Sequence, residues 1–177
     1  MAKEKTGIQK TAANIQKKSV FAFLKSRQTI TMLAIFFILL AVFLISSFIS
    51  FFFHWQEDHS TLQQFFNREV IAKNLLGKVG ANLSHFFIYQ GLGVAAFTIT
   101  YTFLYTGYAI LLKKPLSKVI ISWNWGLISM IWISVILGFL PDDFAILSGI
   151  VGVEINEYLQ TFIGKTGLII ALIFLFI

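Results

Sequence analysis

Residues Leu75 to Ala96 read Leu-Leu-Gly-Lys-Val-Gly-Ala-Asn-Leu-Ser-His-Phe-Phe-Ile-Tyr-Gln-Gly-Leu-Gly-Val-Ala-Ala, and this stretch decides how the chain folds. At 3.6 residues per turn, Gly77, Gly80, Ala81, Ser84, Gly91 and Ala95 fall along one helix side. Ile71, Leu75, Val79, Leu83 and Phe86 fall on a second side, and Lys78, Asn82 and His85 on a third. A ridge of small residues lets another backbone approach closely, which is how helices associate in lipid. The first half of the stretch carries charge and the second half does not. The pattern predicts an amphipathic helix outside the membrane that runs, through a bend at the glycines, into a spanning helix.

The composition places that helix in a membrane protein. The chain is 57% hydrophobic and only 12% charged, where soluble domains sit near 45–50% and about 25%. Cysteine is absent, which excludes disulfides and thiolate metal sites. The net charge of +6 suggests nucleic acid until its placement is considered. Residues 1–28 hold Lys3, Lys5, Lys10, Lys17, Lys18, Lys25 and Arg27 against one acid, Glu4. They read as a disordered basic tail that can rest on anionic lipid at about 1 kcal/mol per basic residue. Direct DNA binding needs more than a short lysine run.

Four spans follow, at about 29–53, 86–112, 119–140 and 166–177. Thr29 to Phe53 is uncharged and too long for a signal-peptide core. Trp55 follows it, and Trp123 and Trp125 open the third span, all three as interfacial anchors. Asp58 to Ser60 reads as the cap of a short helix starting at Thr61. Lys113, Lys114, Pro115 and Lys118 make the turn between the second and third spans. The fourth run reaches only about 18 Å of helix before Ile177, so the chain is expected to be the front piece of a longer protein. Ten of the fourteen basic residues lie in the tail and the Lys113–Lys118 turn, while seven of the eight acids lie in the other two connections. That bias puts both termini in the cytoplasm. The fold class is thus all-α, with four transmembrane helices and an amphipathic helix in each of the two extracytoplasmic loops.

A weak internal repeat runs through this plan. Gly149, Gly152, Asn156, Gly164, Gly167 and Ala171 echo the first ridge at an offset of about 72 residues, so the chain reads as two similar hairpins.

Several apparent motifs lack the context their chemistry requires. Gly164-Lys165-Thr166 resembles the end of a phosphate-binding loop, but Leu159 stands where the pattern needs glycine and no strand precedes it. Gly91-x-Gly93-x-x-Ala96 matches a dinucleotide fingerprint by letters only, inside an uncharged span. His54, His59 and His85 show no helical metal-ligand spacing. The spans hold no Asp, Glu, Lys or Arg, which disfavours ion pathways and intramembrane catalysis. Gln90 and Asn124 read as hydrogen-bonding groups between helices. No catalytic, cofactor-binding or metal-binding residue is assigned.

Asn74-x-x-Gly77-x-x-Gly80-Ala81-x-x-Ser84, then Gly91-x-Gly93-x-Ala95, Trp123-x-Trp125-Gly126, Gly149-x-x-Gly152 and Gly164-x-x-Gly167, in this order along four spans, resemble the N-terminal membrane domain of the bacterial FtsK/SpoIIIE DNA translocases. The resemblance covers nearly all of residues 29–177. It implies a homo-oligomeric ring in the bacterial inner membrane at the division septum, in contact with other division proteins. It further implies a cytoplasmic motor that uses ATP and Mg and moves DNA in chromosome segregation. The motor's motifs do not occur in these residues, so the fragment itself is expected not to be an enzyme and to meet DNA only through the motor. The rival expectations are a four-span scaffold or assembly factor without a motor, and a transport or channel component.

Overall fold

The computed structural model describes residues 26–175, so the tail up to residue 25 lies outside the described residues. Helix α1 spans Arg27–His59. Ser26 sets its start: its backbone is extended, and its Oγ accepts from the Thr29 N–H at 3.2 Å, satisfying one of the free donors of a helix N-terminus. At 33 residues α1 is about 50 Å long, against about 30 Å of hydrocarbon. It therefore continues past Phe53, where the apolar run ends, and carries His54–His59 beyond the greasy layer as helix. The helix expected from Thr61 is absent for the same reason. Helix α1 runs through Asp58, and only a 3-10 turn, Leu62–Gln64, follows.

The second crossing is a composite. Helix α2, Gly77–Ser84, passes into a π-helical stretch, His85–Leu92, then a 3-10 turn, Gly93–Ala96, and then helix α3, Phe97–Leu111. Lys113 ends it in the left-handed region, with φ 52°. The Lys113 and Lys114 N–H groups close back onto Ile110 O at 3.1 Å and Ala109 O at 2.9 Å. Pro115 then caps helix α4, Leu116–Leu137, since a proline lacks only a donor that the first turn leaves free anyway. This starts the third span three residues before Val119.

After Gly138, a 3-10 turn at Asp142–Phe144 leads into helix α5, Ala145–Phe174. The expected outer connection and the fourth span are one helical element, interrupted at Gly149 and Gly164. Among the described residues four segments are long and apolar enough to cross a membrane: Arg27–His59, Gly77–Leu111, Leu116–Leu137 and Asp142–Phe174. Among the described residues there is no strand.

Two cores hold the bundle. Phe48 is fully buried between α1 and the second crossing, edge-on to Phe97 at 5.4 Å and tilted on Phe87 at 5.9 Å, with Leu44, Phe51, Ile88 and Ala96 around it. Lower down, Gly107 lets α3 touch α1, since a Cβ there would lie 2.6 Å from Ile38 Cγ1 and 2.7 Å from Ala34 O. The second core joins Val135 of α4 to Leu168 and Leu172 of α5. Trp132 Nε1 donates to Leu172 O at 3.0 Å, which sets the depth of the last stretch of α5. Elsewhere large apolar side chains face outward, as in Met32, Phe36, Leu39, Phe53, Ile128 and Ile170, the arrangement lipid selects.

Candidate functional site

The site is built from breaks in the helices. Among the described residues four glycines adopt positive φ: Gly77 at 61°, Gly93 at 61°, Gly149 at 70° and Gly164 at 68°. Residues with a Cβ rarely adopt this conformation. Gly77 opens the α2 segment and Gly93 closes it, while Gly149 opens and Gly164 closes the matching segment of α5. The two units therefore share one plan: spanning helix, break, short helix, break, spanning helix. The equivalence pairs Gly93, not Gly91, with Gly164.

The inner breaks face each other. A Cβ on Gly149 would overlap Gly91 O, lie 2.5 Å from Gly93 N and lie 2.6 Å from Ile88 O. A Cβ on Gly93 would overlap Leu147 O and lie 2.6 Å from the Ser148 carbonyl carbon. Main chain thus touches main chain where the end of the first unit crosses the start of the second. Gly93, Ala95, Ala96, Ser148 and Gly149 are all buried there. Irregular backbone away from water needs protein to cover it, and at this crossing each unit covers the other's break.

The polar groups freed by the breaks are paired from the neighbouring helix. Ser134 Oγ donates to Ser148 O at 2.6 Å, the carbonyl next to the Gly149 break. In the first unit, Ser47 Oγ donates to Gly80 O at 2.7 Å. Asn156 Nδ2 donates to Val135 O at 2.7 Å, and Asn74 Nδ2 donates to Ser47 O at 3.0 Å. Ser47, Ser134 and Asn156 are fully buried and Asn74 nearly so. Each unit therefore has a serine on its first span and an asparagine reaching back to that span, and these hold the short helix in place.

A second set of bonds docks the first outer loop. Asp58, buried at the end of α1, accepts from the backbone N–H of Lys73 at 2.6 Å and of Asn74 at 2.9 Å. Ser50 Oγ accepts from the Leu75 N–H at 2.9 Å. At the surface Lys73 pairs with Glu57, and this carboxylate holds the Lys73 ammonium above its ordinary pKa.

The ridge residues divide by environment. Gly80, Ala81, Ser84, Ala95, Gly149 and Gly152 are buried. A Cβ on Gly80 would lie 2.7 Å from Leu76 Cβ and overlap Asn74 Oδ1, and one on Gly152 would overlap Ser134 Oγ. A Cβ on Gly91 would lie 2.9 Å from Phe86 O. Gly77 and Gly164 face open space, and Gly167 meets only Ile163 of its own helix, at 3.2 Å. Ala171 is half-buried. Trp55 stacks on Tyr89 at 6.0 Å. Trp123 turns into the bundle, its Nε1 donating to Thr106 Oγ1 at 2.9 Å and its ring edge-on to Phe103 at 5.0 Å. Trp125 faces outward, 67% exposed.

Gln90 and Asn124 are exposed, and the bonds between helices are made by Asn74, Asn156, Ser47 and Ser134 instead. His59 and His85 come together, ring centroids 5.3 Å apart, with Tyr89 stacked on His85 at 4.8 Å. His54 instead lies against Ser50 O of its own helix at 3.1 Å. Among the described residues no three metal-ligating side chains converge.

Residues 26–177 match the family model described as the 4TM region of DNA translocase FtsK/SpoIIIE. No curated protein and no solved structure matches the chain. A match across nearly the whole chain, to a family of four-span regions, agrees with four crossing segments built as two broken-helix units: the chain belongs to the family of FtsK/SpoIIIE four-transmembrane regions.

Proposed function

We propose that these four spans anchor and assemble a septal DNA translocase acting in cell division and chromosome segregation. The platform lies in the bacterial cytoplasmic (inner) membrane with both termini in the cytoplasm, and it gathers subunits into a ring beside other division proteins. ATP, Mg and DNA are handled by a motor outside these residues.

The observation that carries this reading is the family match joined to the crossing of two backbone breaks. A bundle locked main chain to main chain is suited to holding position. The charge pattern supports the orientation, because Arg27 and the Lys113–Lys118 turn lie at the end of the bundle opposite Asp58, Asp142 and Asp143. A fluorescent fusion of residues 1–177 tests the reading. Enrichment at the division site, with crosslinked species larger than a dimer, supports it. Uniform distribution around the cell envelope with a monomeric species overturns it.

A further inference from the structure

The end of the bundle where α1 starts and α3 ends carries a groove of about 490 Å³, lined by Arg27, Ile30, Thr31, Ile110, Leu111 and Lys113. Its rim is cationic and its floor is aliphatic. Among the described residues neither Arg27 nor Lys113 forms an ion pair. None of the acids of the described chain, Glu57, Asp58, Glu69, Asp142, Asp143, Glu154 and Glu157, lines this groove. The neighbouring Lys114 is engaged elsewhere, its Nζ lying 4.7 Å from the Tyr108 ring centroid and 5.4 Å from that of Tyr105.

Lys113 is also the one non-glycine residue with positive φ among the described residues. It occupies the position after a helix end where glycine fits without strain. A backbone outlier of this kind points toward function. Here it presents a lysine beside Arg27, at the depth where one helix enters the membrane and another leaves it.

We propose that this groove binds an anionic phospholipid, with the phosphate between Arg27 and Lys113 and an acyl chain along Ile30, Ile110 and Leu111. The chemistry selects this occupant. Two neighbouring cations with no ion-pair partner among the described residues attract an anion, and the aliphatic floor continues into the lipid-facing surface of α1 and α3. The chain's own tail does not suit the groove, since residues 1–25 carry six lysines and one acid. The proposal does not depend on the septal role. It requires only that the four helices span a membrane.

The test uses the full chain, purified in uncharged detergent and stripped of lipid. Phosphatidylglycerol, phosphatidylcholine and inorganic phosphate are added in turn, and the midpoint of thermal unfolding is followed against ligand concentration. Phosphatidylglycerol is expected to raise the midpoint saturably, and the other two are not. The R27Q/K113G double variant is expected to weaken the phosphatidylglycerol response about thirtyfold, the effect of two interfacial basic contacts. R27K/K113R keeps the response, and so does R68Q at the opposite end. Equal responses to phosphatidylglycerol and phosphatidylcholine overturn the proposal, and so does an unchanged response in R27Q/K113G. A matching response to phosphate alone overturns the lipid assignment in favour of a bare anion site. Should R27Q/K113G fail to fold, R27Q alone decides the matter, with about fivefold weakening expected and no weakening fatal.

Discussion

Gly93→Ala isolates the crossing of the two breaks. At φ 61° and ψ −142°, an extended positive-φ conformation kept almost wholly to glycine, a Cβ costs about 1–3 kcal/mol in local backbone strain. The same Cβ must also displace Leu147 O and the Ser148 carbonyl, both main chain, which cannot rotate out of the way as a side chain can. Overpacking of that kind adds about 1–3 kcal/mol, giving about 2–6 kcal/mol in all. Gly164→Ala is the control. It shares that conformation, with φ 68° and ψ 165°, and nothing lies within 4 Å of the added Cβ, so only the strain of about 1–3 kcal/mol applies. Unfolding by SDS titration in mixed micelles, followed by tryptophan fluorescence, measures both. Trp55, stacked on Tyr89 four residues before Gly93, is one of the four tryptophans that report, and replacing Trp123, Trp125 and Trp132 by Phe in the parent makes the signal local. Combining Gly93→Ala with Gly149→Ala is expected to cost less than the sum, because one separation of the two crossing segments relieves both clashes. Equal costs for Gly93→Ala and Gly164→Ala, or strict additivity in the double variant, would refute the claim that backbone contact holds the units together.

Ser134→Ala removes the donor to Ser148 O and is expected to cost about 1–3 kcal/mol. Ser47→Ala is expected to cost less in the same titration, since Gly80 O keeps its bond from Ser84 Oγ. Asp58→Ala leaves the Lys73 and Asn74 N–H groups without their acceptor, a loss of about 1.5–3 kcal/mol. It should also speed trypsin cleavage after Arg68; unchanged cleavage would show that the loop is held by something else. The Glu57–Lys73 pair raises the Lys73 pKa and lowers that of Glu57, so whatever it contributes is present between the ordinary carboxylate and lysine ranges, and fades as pH climbs through the raised value or falls through the lowered one. Both side chains are largely exposed, so melting curves of the wild type and Lys73→Gln should coincide at pH 7; separated curves would give the pair more weight than its exposure allows.

The uncharged runs indicated four crossings, and Lys113-Lys114-Pro115 located the turn between α3 and α4. Apolar length says where a chain meets lipid but not where a helix stops, so the extension of α1 to His59 and the joining of the second outer connection to the fourth span were hidden. Glycine was the least legible residue. The same letter marks a close approach at Gly152, a break at Gly93 and an empty site at Gly164, because periodicity records side chains and glycine has none. Gly91 consequently stood out on the helical ridge, whereas Gly93, one step off it, makes the tighter contact. Asn156 fell on the second ridge and Asn74 opened the motif around Gly77, but neither spacing showed the bond each makes back to the preceding span. The signal available was that each lies close to a glycine of a short amphipathic segment, three residues before Gly77 and four after Gly152. Reading it required knowing that a serine-bearing span stood behind each.

The crossing at Gly93 and Gly149 has a consequence for divergence. A joint made from peptide units has no side chain to exchange, so it tolerates almost no substitution at a handful of positions and imposes little on the rest. The outward aliphatic and aromatic surface can therefore be rewritten wholesale, to suit membranes of different thickness or different neighbours, while the shape of the bundle stays fixed.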